Sequence, residues 1–274
     1  MRDFERVLNL KSSDTTESRG SNKWPLQGPI RFHDVSFAYP SRPDANVLRN
    51  LSLRIDPNEC IAIVGSSGSG KSTIAALLQR LYEPSSGAIT ISGHRLHNAD
   101  VVALREQIAV VSQQPHLFDA SIEDNIGYGG TTIYPHEEIE RAAKEANIHD
   151  FIMSLPDGYD TAVGENASLI SGGQAQRISI ARALVRPANL LILDECTSAL
   201  DAENQREVMK TIQSVKEGRT TVIVTHKLPI MQMADRIIVI ADGGVAEEGS
   251  YNELMKRRGT FHKLATAGEW EGAD

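Results

Sequence analysis

Residues 65–72 read Gly-Ser-Ser-Gly-Ser-Gly-Lys-Ser, which satisfies G-x-x-x-x-G-K-[ST] at every position. The short apolar run Ile61-Ala62-Ile63-Val64 precedes it, and an amphipathic stretch carrying Ile74, Leu77, Leu78 and Leu81 follows. Strand, glycine loop and helix in that order form a phosphate cradle. The glycines allow positive φ and close backbone approach, so successive N–H groups of the loop can face phosphate oxygens. The helix adds unpaired amides and the positive end of its dipole. Lys71 supplies a mobile cation for β- and γ-phosphates, and the Ser72 hydroxyl is placed for Mg²⁺. The alternative, a Gly/Ser-rich turn ending in Lys-Ser by coincidence, leaves both flanks unexplained.

A chain of 274 residues with 41% apolar and 23% charged residues has the composition of a soluble globular protein, in one large domain or two modest ones. Its net charge of −8 argues against general nucleic-acid binding. It suits an anionic ligand held by backbone amides and a few placed cations. No apolar run approaches the ~18 residues of a spanning helix, and no signal-peptide pattern opens the chain. Cys60 and Cys196 read as small core residues of a reducing compartment, not as a disulfide.

Residues 1–29 differ from the rest. Asp3 to Leu10 has the pattern of a helix end, and Lys11 to Lys23 is polar without apolar periodicity, so the segment reads as a linker. The folded domain is expected from near Ile30. Strand-like alternation covers Arg31 to Tyr39 and Leu51 to Ile55, joined by the turn Tyr39 to Asp44. Further strands are expected at Gly87 to Ser92, Ile108 to Ser112, Leu190 to Leu193 and Thr220 to Val224. A helix is expected over 137–154 and another from Gly172 to Val185. Asp201 is the N-cap of a helix carrying Val208, Ile212 and Val215. Arg236 to Ile240 and Val245 to Gly249 form a hairpin around Asp242-Gly243-Gly244, and Ser250 to Glu253 is a capping box opening a final helix. The order predicts an antiparallel β start, a strand/helix alternation with a parallel core, and a helix-rich insert between about 115 and 185.

Splitting a nucleotide needs more than a cradle. Leu190-Leu191-Ile192-Leu193-Asp194-Glu195 places two acids at the end of a buried strand. Asp194 is the candidate to hold Mg²⁺, and Glu195, which the turn aims elsewhere, is the candidate to polarise water. His226, just past the strand Thr221 to Val224, is of the type that touches a terminal phosphate; on position alone it is more often an ordinary surface or core histidine. Ser171-Gly172-Gly173-Gln174 starts a helix with two glycines, a second anion-binding N-terminus. One nucleotide is already cradled at 65–72, so the second amide cluster points to a nucleotide held by another copy of the fold. Locally, a glycine cap on a packing helix explains it as well.

Taken together, these residues resemble the nucleotide-binding domain of ATP-binding cassette transporters over about residues 30–265. Gly65 to Ser72 is similar to Walker A, and Leu190 to Glu195 to Walker B with its catalytic glutamate. Ser171 to Gln174 resembles the signature sequence, Ser198-Ala199-Leu200-Asp201 the D-loop, His226 the switch histidine and Gln113 the Q-loop glutamine. Tyr39 resembles the aromatic that stacks on adenine. Ala38 to Pro43 and the X-loop-like Thr161-Ala162-Val163-Gly164-Glu165 resemble the multidrug/peptide exporter branch. Val224 to Leu228 and Gly268 to Glu271 resemble fungal pheromone-type exporters. Asn166-Ala167 departs from the Arg-Gly usual in the X-loop, Ile170 from the leucine before the signature, and Cys196 from a common alanine. None of these removes a catalytic group.

The resemblance implies an α/β P-loop NTPase fold with a mostly parallel core sheet, an antiparallel β subdomain and an inserted helical subdomain. It implies ATP contacts from Tyr39, Gly65, Ser66, Ser67, Gly68, Ser69, Gly70, Lys71, Ser72, Thr73 and Gln113. Mg²⁺ would be held by Ser72, Gln113 and Asp194, with catalysis by Glu195, His226 and Lys71. Ser171, Gly172, Gly173, Gln174 and Asp201 would meet the nucleotide of a second cassette in a head-to-tail dimer. Membrane helices in the same or another chain would complete an exporter at the cytosolic face of a membrane. Two other readings share the ATP motifs: a cassette ATPase of DNA repair or translation, and a module that holds ATP without turnover. The acidic charge and exporter-like segments oppose the first, and intact Glu195 and His226 oppose the second.

Overall fold

A computed structural model describes residues 20, 22–130, 133–164, 170–198, 200–216 and 218–266. Among the described residues ten strands form two sheets. The first is antiparallel: β1 (Ile30–Ala38) lies between β2 (Asn46–Ile55) and β4 (Ser86–Ile91), with β5 (His94–Arg95) at the edge. Alternating burial along β1 and β2 points Phe32, Val35, Phe37, Leu51, Leu53 and Ile55 into the core.

The second sheet runs in the order β10 (Gly244–Gly249), β9 (Arg236–Ala241), β3 (Cys60–Val64), β8 (Thr220–Val224), β7 (Leu190–Asp194), β6 (Ile108–Val111). All neighbours are parallel except the β9–β10 hairpin. Every residue of β3 and β8 is buried. Strands covered on both faces need continuous apolar runs, which the sequence shows at 61–64 and 190–193. In register, Ile63 pairs with Val224 and Asp194 with Val224, so the C-terminal ends of β3, β8 and β7 lie side by side.

Helix α1 (Lys71–Leu78) leaves β3 through the glycine loop, and α2 (Val101–Glu106) precedes β6. Between β6 and β7 lie α3 (Ile122–Gly127), α4 (His136–Glu145), α5 (His149–Ser154) and α6 (Gly172–Leu184), the expected helical insert. Their core joins Ile122, Ile126, Ile139, Ile152 and Ile178 to the underside of β7. Then come α7 (Ala202–Val215), α8 (Leu228–Met231), α9 (Tyr251–Arg257) and α10 (Thr260–Thr266).

Several expected helices are shorter than their sequence pattern. The helix expected over 137–154 is two helices, because Asn147 adopts φ +53 and caps α4. Asn147 N–H donates to the Lys144 carbonyl and Ile148 N–H to that of Ala143, a Schellman arrangement, while the Asn147 amide reaches Thr211 of α7 at 2.9 Å. The same motif ends α1: Arg80 takes φ +51, and Leu81 is half exposed instead of continuing the apolar face. The final helix is likewise divided at Arg258, φ +53, although the Ser250–Glu253 capping box opens α9 as expected. Packing begins ahead of Ile30. Leu26 is buried, and Gln107 holds the backbone of Leu26 and Trp24. Cys60 and Cys196 are free and buried.

One buried amide organises the insert. Asn125 is fully buried; its Oδ1 accepts from Phe118 N–H and from Arg182 of α6, each at 2.8 Å, and its Nδ2 donates to the carbonyls of Phe118 and Ser121. Arg182 also donates to the carbonyls of Asn125 and His116 and lies over the Phe118 ring. Asn125→Ala would strand these groups, and we expect a loss of about 2–4 kcal/mol of stability, read by denaturant unfolding. A change under about 0.5 kcal/mol, the size of a surface substitution, would show that the amide is dispensable.

Candidate nucleotide site

The loop between β3 and α1 is shaped by contacts that only glycine tolerates. At Gly65, φ +150, a Cβ would lie 2.2 Å from the Ile240 carbonyl oxygen of β9. At Gly70, φ +105, the N-cap of α1, it would lie 2.6 Å from Leu48 Cδ2 of β2. The loop is thus pressed between the two sheets. Lys71 Nζ curls back over it and donates to the carbonyls of Gly65 and Ser66, each at 2.9 Å. Burial pushes the Lys71 pKa below its ordinary value, against the pull of Glu195 and Asp194. Ser69 Oγ is buried within the loop without a hydrogen-bond partner.

Above the loop opens a cleft of about 680 Å³. Gly65 to Gly68 and Gly70 to Thr73 line its floor, Tyr39, Arg42, Ala45 and Val47 one wall, and Glu195 and His226 the other. The Tyr39 hydroxyl is 2.9 Å from Thr73 Oγ1, and its ring stands edge-on to Phe37 and Tyr82. Arg42, Ala45 and Val47 were not among the residues expected from sequence. Arg42 is the one cation in the turn Tyr39 to Asp44, a signal that was available.

Asp194 ends β7, and its Oδ1 accepts from Ser72 Oγ at 3.4 Å. Burial, and then the neighbouring Glu195, raise its pKa above the usual carboxylate range; Ser72 and Lys71 act the other way. Among the described residues no group of three His, Cys, Asp or Glu could hold a metal ion. Mg²⁺ takes one or two protein oxygens and completes its shell with water and phosphate, so the Ser72–Asp194 pair fits it.

Glu195 departs from the strand. Its φ is +48, its N–H donates to the Val224 carbonyl at 2.9 Å, and its own carbonyl accepts from Ser198. This left-handed turn sends the side chain towards His226, whose Nδ1 is 3.7 Å from Glu195 Oε1. A non-glycine residue in this conformation costs of order 1–3 kcal/mol, which the adjoining strand pairing offsets.

A second cluster lies outside the lining of this cleft. Ser171 and Gln174 form a reciprocal capping box on α6, with Gln174 N–H on Ser171 Oγ and Ser171 N–H on Gln174 Oε1. A Cβ at Gly173 would lie 2.1 Å from Asn204 Oδ1 of α7. Asp201 caps α7, accepting from the backbone of Glu203 and Asn204 and from Asn204 Nδ2; these bonds hold its pKa below the usual range. Gln113 is exposed two residues past β6 and does not line the cleft; the adjacent Ser112 carbonyl is held by Gln176 of α6. Thr161 to Gly164 lies against Ala120–Ser121. Glu165, Asn166, Ala167, Ala199, Asp3 to Leu10 and Gly268 to Glu271 lie outside the described residues.

Comparison with known proteins agrees with this geometry. The family description "ABC transporter" matches residues 48–198, more than half of the chain. Human ATP-binding cassette sub-family B member 5 is 44% identical over 271 residues, covering 99% of this chain and 22% of that protein. The rat mitochondrial potassium channel ATP-binding subunit is 46% identical over 240 residues, covering 87% of this chain and 34% of its own length. A bacterial Atm1-family ABC exporter solved with ATP bound superimposes with a TM-score of 0.87 at 35% identity, covering all of this chain and 47% of that one. The chain therefore spans between a fifth and a half of the length of these relatives. Fold, cleft and sequence similarity lead to one conclusion: the chain belongs to the ABC transporter family, as an ATP-binding domain with the P-loop NTPase fold.

Proposed function

We propose that this domain binds ATP with Mg²⁺, hydrolyses it between itself and a second such domain, and thereby drives export of a substrate through membrane-spanning segments. The supporting observation is convergence: the glycine loop, Lys71, Glu195 and His226 meet at one cleft from three adjacent strand ends.

In this reading Tyr39 stacks on adenine, worth about 1–3 kcal/mol if base–aromatic stacking carries over. The amides of 65–73 hold the phosphates, and Lys71 exchanges two neutral carbonyls for phosphate oxygens. Ser72, Asp194 and Gln113 would hold Mg²⁺, which supplies charge neutralisation on the β- and γ-oxygens. Glu195 accepts a proton from the attacking water at its carboxylate, and His226 steadies the terminal phosphate. Ser171, Gly172, Gly173 and Gln174 close over the nucleotide of the second domain, with Asp201 at the interface. Contacts present only with ATP hold the pair together, and hydrolysis removes them. Residues 1–29 would link a membrane region to the cassette at 30–274, whose helical part at about 115–185 would pass the motion on. The assembly would sit at the cytosolic face of a membrane. Among the described residues no helix is long and apolar enough to cross a membrane, so the spanning segments would lie elsewhere.

Glu195→Gln is expected to keep ATP binding and slow hydrolysis by about 10²–10⁴-fold, read by steady-state ATPase assay; near-normal turnover would remove Glu195 from the role of base. Lys71→Ala should weaken ATP binding in titration calorimetry, and an unchanged affinity would contradict the cradle. With ATP and Mg²⁺ the Glu195→Gln chain should elute as a dimer, whereas a strictly monomeric elution at high concentration would count against the two-domain site.

A further inference from the structure

Lys227 directly follows His226, yet it is only 2% exposed and does not line the cleft. Its Nζ runs beneath the loop after β7, donating to the Thr197 carbonyl at 2.9 Å and to Gln205 Oε1 of α7 at 3.0 Å. Its backbone N–H is fixed by Thr225 Oγ1 at 3.1 Å. A buried amine is a costly cross-link, since an apolar side chain of similar length would fill the space without being desolvated. What the amine adds is direction: it ties the end of β8 to the acceptors on Thr197 and Gln205.

Both acceptors belong to the segment that shapes the second cluster. Thr197 lies two residues after Glu195. Gln205 adjoins Asn204, whose amide is bonded to Asp201 and whose Oδ1 fills the space over Gly173. The contacts therefore run without a gap from His226 through Lys227 and Gln205 to Asn204, and from there to the helix start at Ser171–Gln174. Gly173 is glycine because Asn204 occupies the volume a Cβ would need.

We propose that Lys227 is a positioning residue. It couples the phosphate-facing end of β8 to the α6–α7 corner, so that occupancy of the chain's own cleft sets how Ser171–Gln174 is presented to the nucleotide of the second domain. This rests on the two-domain reading above. In such a device each ATP site adjusts the other through α7 of the same chain, and neither Lys227 nor Gln205 touches nucleotide.

The test uses the Glu195→Gln chain as parent and measures two quantities: ATP affinity of the dilute monomer, and ATP-dependent self-association by sedimentation. Lys227→Met should leave ATP affinity within about twofold and weaken self-association about tenfold, a typical coupling between sites. Gln205→Met should do the same. Gln205→Glu, which retains an acceptor, should associate as the parent does. Should Lys227→Met fail to fold, Gln205→Met decides, because Gln205 is only half-buried on α7. Self-association within twofold of the parent in the methionine variants would overturn the inference, as would a parallel loss of ATP affinity. A parent that never associates with ATP would instead sink the two-domain reading, a different pattern of results.

Discussion

The parallel pairing of β3, β8 and β7 is the constraint on which the site depends. These strands expose no polar face, so sliding one past another would strand apolar side chains and leave backbone groups unpaired. With register held in this way, the loop after Val64, the acids after Leu193 and the histidine after Val224 emerge at one edge of the sheet. The approach of Glu195 to His226 follows from ladder hydrogen bonds more than from local packing. Ligands at the carboxyl ends of parallel strands are the general outcome of this architecture.

The antiparallel sheet is joined to that edge by contact, not by shared strands. Leu48 packs on Gly70, and Arg49 N–H donates to the Gly243 carbonyl in the β9–β10 turn. Tyr39 and Val47, which line the cleft, belong to or adjoin the same sheet. The wall carrying Tyr39 and Val47 and the glycine-loop floor therefore come from different layers, which meet where Gly70 admits Leu48. A methyl group at Gly70 would crowd Leu48 of β2 where the two layers meet, whereas one at Gly65 would meet the Ile240 carbonyl within the parallel sheet.

The sequence was most legible where one residue type answers one local demand. The buried strands, the glycine loop, the hairpin at Asp242–Gly244 and the Ser250 capping box all declared themselves through period or turn chemistry. It was least legible where a tertiary partner overrides propensity. The stop at Asn147 combines a local cue, an asparagine able to take the left-handed cap, with a distant one, Thr211, which is 64 residues away and accepts from its amide. The capping box of Ser171 and Gln174 follows the S/T-x-x-Q spacing, so the start of α6 was legible beyond its two glycines. No local pattern marks Lys227 for burial, and only the fold shows that Thr197 and Gln205 draw it inside.

The cleft carries an arrangement of charge that the chain alone leaves unresolved. Lys71 is desolvated and satisfied by neutral carbonyls. Asp194 is half-buried beside a second carboxylate that raises its pKa further. Glu195 is held in a left-handed turn. A polyanion gives Lys71 the charged acceptors it lacks, and a divalent cation relieves the two acids. In the proposed function, part of the affinity for nucleotide and metal would therefore be relief of conditions that the strand pairing imposes on Lys71, Asp194 and Glu195.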